Sequence, residues 1–188
     1  MIAAADVSRG TFYKYFDSPS SLVQALAVEV TDAVIQTMHP LIEPLDDLAE
    51  RMSTGVRTVL RLVRAHPIIG AFMVRAGWPV SERTQQFFVV VGADLRKGIR
   101  QGRFARMHDE VALNLLAGTL VGAMHSITHE RVPRDFAEQT SAAILRALGL
   151  PEQEVAELST RPLAMPLIEP GALLWCLINA RPWSAANA

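Results

Sequence analysis

The residues best equipped for chemistry lie close together near the start of the chain, in Ser8-Arg9-Gly10-Thr11-Phe12-Tyr13-Lys14-Tyr15. A guanidinium, an ammonium, two phenols and two hydroxyls within eight positions are hydrogen-bond donors suited to phosphate oxygens and to base edges in a duplex groove. Ile2, Val7, Phe12 and Phe16 can form a small shared core beneath them, and the alanines at 3, 4 and 5 let one helix lie close to another. Ser8 is a good N-cap for the second piece. The segment therefore reads as helix, turn, helix. In such a unit the N-terminal residues of the second helix face the bases, which makes Arg9 and Tyr13 the base-reading candidates. Thr11, Lys14 and Tyr15 are left to hold phosphates. An aromatic-rich helix hairpin buried in a core would use the same composition.

The remaining chain supplies elements that could carry this unit. Prolines and glycines divide it into helix-sized blocks, and no block alternates polar with β-branched residues as a strand would. The expected fold class is all-α, a partial helix-turn-helix headpiece on a helical bundle. Ser18 caps a helix with Pro19 at its first position, where the missing N–H is harmless. Leu22, Leu26, Val30, Val34 and Met38 keep one apolar stripe up to His39-Pro40. Further helices are expected over Leu45 to Ala65, Ile68 to Arg75, from Ser81 through Arg103, Asp109 to Glu130 and Phe136 to Leu148, with a short one at Glu152 to Leu158. Beyond Arg161, prolines at 162, 166, 170 and 182 predict a loosely structured tail. The corresponding division is 1–38 for the headpiece and connecting helix, 39–160 for the body and 161–188 for the tail.

Bulk properties narrow the possibilities. The chain has 188 residues, half of them hydrophobic and a fifth charged, with formal net charge -1. Its mean hydropathy is +0.21 and its pI about 6.5. Such a chain buries a sizeable core and is not coated in basic surface, so any contact with nucleic acid is local. The single Cys176 cannot form an internal disulfide, which suits a reducing compartment. No basic region followed by a long apolar stretch opens the chain, and the late apolar run Gly171 to Ile178 is far shorter than the roughly 20 residues of a membrane-spanning helix. A cytoplasmic protein without membrane contact is the expectation.

The run Ile2 to Phe16, followed by Ser18 and Leu22, resembles the helix-turn-helix of the TetR family, whose pattern is close to I-A-x-x-A-G-V-S-x-G-T-[FIL]-Y-x-[YH]-F followed by S-K-E-x-L. The resemblance implies a ligand-controlled DNA-binding regulator, usually a repressor. It also implies that Arg9, Gly10 and Tyr13 approach bases while Thr11 and Tyr15 meet the backbone, with Ser8 opening the recognition helix. The chain departs from the pattern in three ways. Asp6 replaces the turn glycine, a position where Asp is tolerated. Pro19 replaces a lysine that helps bind phosphate. The family also has a helix ahead of the segment beginning at Ile2, so the headpiece as written lacks one wall, and an upstream start is expected.

A body of this kind should enclose an apolar cavity with a few polar groups that orient an inducer. Met52, Val56, Leu60, Phe72, Met73, Trp78, Phe88, Asn114 and His125 are the candidates, and each could equally be ordinary core. Two half-sites one DNA turn apart, about 34 Å, require a symmetric pair of recognition helices, hence a homodimer on a palindromic operator. Leu116, Gly118, Leu120 and Gly122, with Ile144, Leu145 and Leu148, are the expected interface. His125 and His129 stand four apart on one helical face, but no third ligand accompanies them, so no metal site is expected. No cofactor is expected either. Neither a nucleophile triad, a glycine-rich phosphate loop nor a pair of catalytic carboxylates occurs at recognisable spacing, which argues against an enzyme. The alternative to a DNA-binding regulator is a helical ligand-binding or interaction dimer that has lost DNA binding.

Overall fold

The computed structural model describes residues 8–75 and 86–179, except for the side chains of Arg9, Arg75 and Gln86. The expected helix start at Ser81, the candidate Trp78, the turn around Asp6 and the segment 180–188 lie outside the described residues. Among the described residues every regular element is a helix, as the punctuation of the sequence predicts.

Two short polar caps launch the N-terminal helices. The Ser8 hydroxyl accepts from the Thr11 N–H at 3.0 Å and starts α1, Arg9–Tyr15. Ser18 and Ser21 form a reciprocal capping box, each side chain accepting from the other's backbone N–H, at the start of α2, Pro19–Ile42. The expected stop at His39-Pro40 does not occur. Pro40 lies in the last turn, where the helix continues to Ile42 and Glu43 N–H closes it on the His39 carbonyl. One missing N–H that close to a terminus is tolerated, and Ile42 packs on the core.

The body is organised around α3, Leu48–Ala65, which starts at the Asp47 cap rather than at Leu45. Apolar residues on several sides of α3 are buried, among them Met52, Val59, Leu60 and Val63, and it touches α2 and every later helix up to α8. These are α4 (Pro67–Arg75), α5 (Gln86–Arg100), α6 (Asp109–His129), α7 (Phe136–Ala147) and α8 (Glu152–Thr160). Burying each of the larger aliphatic side chains stabilises the fold by about 1.5–3 kcal/mol. Gly70 makes one of these approaches possible, since a Cβ there would stand 2.4 Å from Val63 Cγ1 and 2.9 Å from Thr128 Cγ2. Gly149, with φ +88°, ends α7 in a Schellman motif: its own N–H and that of Leu150 reach back to the carbonyls of Arg146 and Leu145.

Polar groups tie the central helix to its neighbours. Ser53 Oγ donates to the Leu158 carbonyl at 2.8 Å and lies 3.0 Å from Ser141 Oγ. Arg57, 2% exposed, donates from Nη1 to the Arg161 carbonyl at 2.6 Å. Arg103 holds Asp47 through two bonds and Glu154 through a third, while Arg61 pairs with Glu138 and Arg161 with Glu50.

In the segment after Arg161, residues 162–172 form no regular element, as expected of a loose tail, whereas residues 173–179 correct that expectation. Leu173–Asn179 forms α9, which packs on α2 and α4 with Leu174 only 1% exposed. The prolines stop helices locally, but they do not prevent the chain from docking where an apolar residue finds a hole. The division expected at residue 38 falls inside the continuous helix α2.

Candidate ligand cavity and nucleic-acid interface

The short helix α1 presents the donors together. Phe12 is the residue that turns inward, 8% exposed, with its ring 5.7 Å from Phe16 and edge-on to Tyr13 at 5.2 Å. Around it Ser8, Gly10, Thr11, Tyr13, Lys14 and Tyr15 are exposed, Tyr13 by 57% and Tyr15 by 69%. Large aromatics left this open are suited to contact with another surface. The Lys14 ammonium lies 5.8 Å from the Tyr15 ring centroid, so cation and phenol form one patch. The Thr11 hydroxyl is 2.8 Å from Ser8 Oγ and takes part in the cap. The side chain of Arg9, the foremost base-reading candidate, lies outside the described residues.

A cavity of about 180 Å³ opens between α2, α3, α5 and α6, with Met73 of α4 at one side. The face of α2 that carries Thr31, Val34, Ile35, Met38 and Ile42 forms one wall, and Met52, Gly55, Val56 and Val59 of α3 form the opposite one. Phe87, Val90 and Val91 of α5, with Leu116 and Leu120 of α6, complete it. The lining is apolar except at one end. There Arg51 Nε donates to Asp94 Oδ2 at 2.7 Å, and Arg51 Nη1 donates to the Ile42 carbonyl at 3.2 Å, at the last turn of α2. His39 and Glu43, an exposed pair 3.5 Å apart, lie on the same rim.

Of the expected cavity residues, Met52, Val56 and Met73 line it. Leu60 and Phe88 are buried in the core away from its wall, and Phe72 is half-buried against that core. Asn114 and His125 are exposed on the outer side of α6, so they do not reach the cavity. The expected interface divides in the same way. Leu116 and Leu120 face the cavity, and Ile144, Leu145 and Leu148 are 1%, 0% and 0% exposed inside this chain's own core, which leaves them nothing to offer a partner. Gly118 and Gly122 remain open: an added Cβ at either would meet no atom within 4 Å. The His125 and His129 rings stack at 4.3 Å, and His129 Nδ1 lies 2.8 Å from Thr128 Oγ1. Among the described residues no three metal-ligating side chains converge.

Helical spacing could have revealed the missed residues. Arg51, Gly55 and Val59 repeat every four positions on α3, and Phe87, Val91 and Asp94 share one face of α5. A charge of each sign on otherwise apolar inner faces marks a polar spot in a cavity wall.

A single long helix, α2, runs from the exposed, donor-rich helix α1 at one end to a mostly apolar cavity along its length. The model of the tetracyclin repressor-like C-terminal domain matches residues 47–161, and the chain belongs to that TetR family. Two curated proteins from two strains of Mycobacterium tuberculosis, both described as uncharacterised HTH-type transcriptional regulators, are 32% identical over 77 residues, 41% of this chain. The matched part spans 38% of the length of those relatives. The crystal structure of RolR in complex with the ligand resorcinol is similar with TM-score 0.77 and 26% identity, covering 88% of this chain and 83% of that one. RolR without ligand gives TM-score 0.74 at 26% identity, covering 86% and 84%.

Proposed function

We propose that the chain is a cytoplasmic, ligand-responsive transcriptional regulator, a repressor that a small, largely apolar molecule releases from a palindromic operator. The observation that carries this reading is the double role of α2: its inner face lines the cavity, and its N-terminus leads within a few residues to the exposed donors of α1. A ligand seated between α2 and α3 touches α2, and a change in the setting of α2 passes to α1 through the short link between Tyr15 and Pro19. Ligand affinity that differs between two settings of α2 is all that switching requires. RolR, a structural relative, holds resorcinol, and a void of roughly 150 Å³ suffices for a single aromatic ring.

Two copies present the paired recognition helices. The outer face of α6 supports the pairing: Val111 is 54% exposed, and Gly118 and Gly122 below it lie open. α6 is apolar and long enough to cross a membrane by length and composition, yet only 28% of its most apolar stretch is buried inside this chain. The exposed strip of α6 is narrow, with Val111 and the two glycines, and small residues of this kind suit close approach of a second helix. Arg9, Tyr13 and Gly10 face bases in this reading, with Thr11, Lys14, Tyr15 and the Ser8 cap at phosphates.

The test is binding of this chain, and of the chain extended upstream in frame, to the duplex preceding its own gene at moderate salt. Preference for that duplex over a scrambled one by either form, and its reduction by Tyr13→Ala, supports the proposal. Dimerisation and ligand binding without sequence preference in both forms would establish the other reading, a ligand-binding dimer that no longer reads DNA.

A further inference from the structure

The polar end of the cavity has a defined chemistry. Arg51 is held on two sides, with Nε on Asp94 Oδ2 and Nη1 on the Ile42 carbonyl and, at 3.5 Å, on the Leu45 carbonyl. The side chains are only 20% and 16% exposed, so the pair is largely withdrawn from water. Among the described residues, Asp94 Oδ1 and Arg51 Nη2 make no hydrogen bond. The 2.7 Å bond joins the two side chains, so an acceptor oxygen and a donor nitrogen both remain at the one polar end of an apolar slot. Glu43 adds a second carboxylate at the rim, against which His39 is set.

We infer that Asp94 and Arg51 make this cavity selective for a neutral ring bearing a hydroxyl, a phenol, and exclude aromatic carboxylates of the same size; the inference rests on the reading of this cavity as the ligand site. A phenol matches both free groups, because its O–H donates to Asp94 Oδ1 while its oxygen accepts from Arg51 Nη2. A benzoate has only acceptors. To reach Arg51 it must approach the Asp94 carboxylate, in a site where water does little to screen the repulsion, or displace Asp94 and leave it without its partner. A ring with no polar group fits the slot but leaves the acceptor and donor unused. Sites built to bond a hydroxyl reject analogues lacking it more strongly than apolar pockets discriminate by size. Asp94 is therefore the specificity-determining residue, and Arg51 its positioning partner.

Calorimetric titration of the full chain with phenol, benzoate and toluene tests this. The expected order is phenol tightest, toluene at least tenfold weaker, and benzoate weakest. Asp94→Asn keeps the shape of the side chain and removes its charge, so benzoate binding should strengthen relative to phenol by tenfold or more, with toluene unchanged. Toluene serves as the control for an intact cavity, so a variant that merely misfolds is recognised by its loss. Equal affinities for the three rings in the native chain, or benzoate binding best, would overturn the selectivity while leaving the cavity as a ligand site. No binding of any ring would overturn the ligand site and the selectivity together.

Discussion

Asp47 illustrates how much a single side chain contributes here. Its carboxylate caps α3 by accepting from the Ala49 N–H and takes two bonds from Arg103, which also reaches Glu154. The Arg103 hydrogen bond, ahead of the opposing effect of burial, holds the Asp47 carboxyl below its usual range. A carboxyl whose folded pKa is depressed contributes stability that is present above its unfolded pKa and is lost as pH falls through the folded value. Asn caps a helix about as well as Asp, so Asp47→Asn removes the charge and keeps the cap. We expect the variant to be less stable by about 1 kcal/mol or less near neutral pH, because the pair is partly exposed, and to converge with the native chain in strong acid. Urea unfolding at several pH values measures this; a gap that widens toward low pH would contradict it. Gly55 offers an opposite trade. A Cβ there would meet Ile42 Cδ1 at 3.6 Å, ordinary contact across the cavity. Gly55→Ala should therefore stabilise α3 by roughly 0.5–1 kcal/mol through helix propensity, and narrow the slot enough to weaken phenol binding by about tenfold, or about 1.4 kcal/mol. Thermal unfolding and calorimetry read the two effects separately.

Among the elements, the helices with local signals were the legible ones. Ser18 and Pro19 announced the start of α2, Pro67 the end of α3, and Gly149 the end of α7, because caps and breakers act within a few residues of themselves. What was not legible depended on partners distant in sequence. The α9 helix follows a run of prolines, and only the hole that receives Leu174 between α2 and α4 explains its order. The cavity wall was half legible for the same reason: Met52 and Val56 lie on an obvious apolar stripe, whereas the faces of α2 and α5 that meet them are set by tertiary packing. Leu174→Ala should destabilise the chain by about 2–4 kcal/mol. Hydrogen exchange should then show faster exchange in α9 and the facing turns of α2; an effect confined to the last residues would mean that α9 contributes nothing to the body.

At the scale of the whole molecule, TetR membership was legible from some fifteen residues of motif, while burial within the chain removes part of the surface expected to pair two copies. Periodicity marks a face as apolar without saying whether it meets this chain or another, and Ile144, Leu145 and Leu148 proved to be internal core. Gly118 and Gly122 are the better probes, since a Cβ added at either meets no atom within 4 Å. Gly122→Arg should yield a folded monomer by sedimentation velocity where the native chain is a dimer; a dimer unaffected by the substitution would move the interface off α6. The central claim joins cavity to headpiece through α2, and fluorescence anisotropy of the labelled duplex preceding the gene, titrated with protein in the absence and presence of saturating phenol, tests it most directly. A rise of about tenfold or more in the dissociation constant when the ligand is bound, corresponding to a coupling of about 1.4 kcal/mol, is the result predicted. An unchanged dissociation constant with the cavity demonstrably occupied would contradict it.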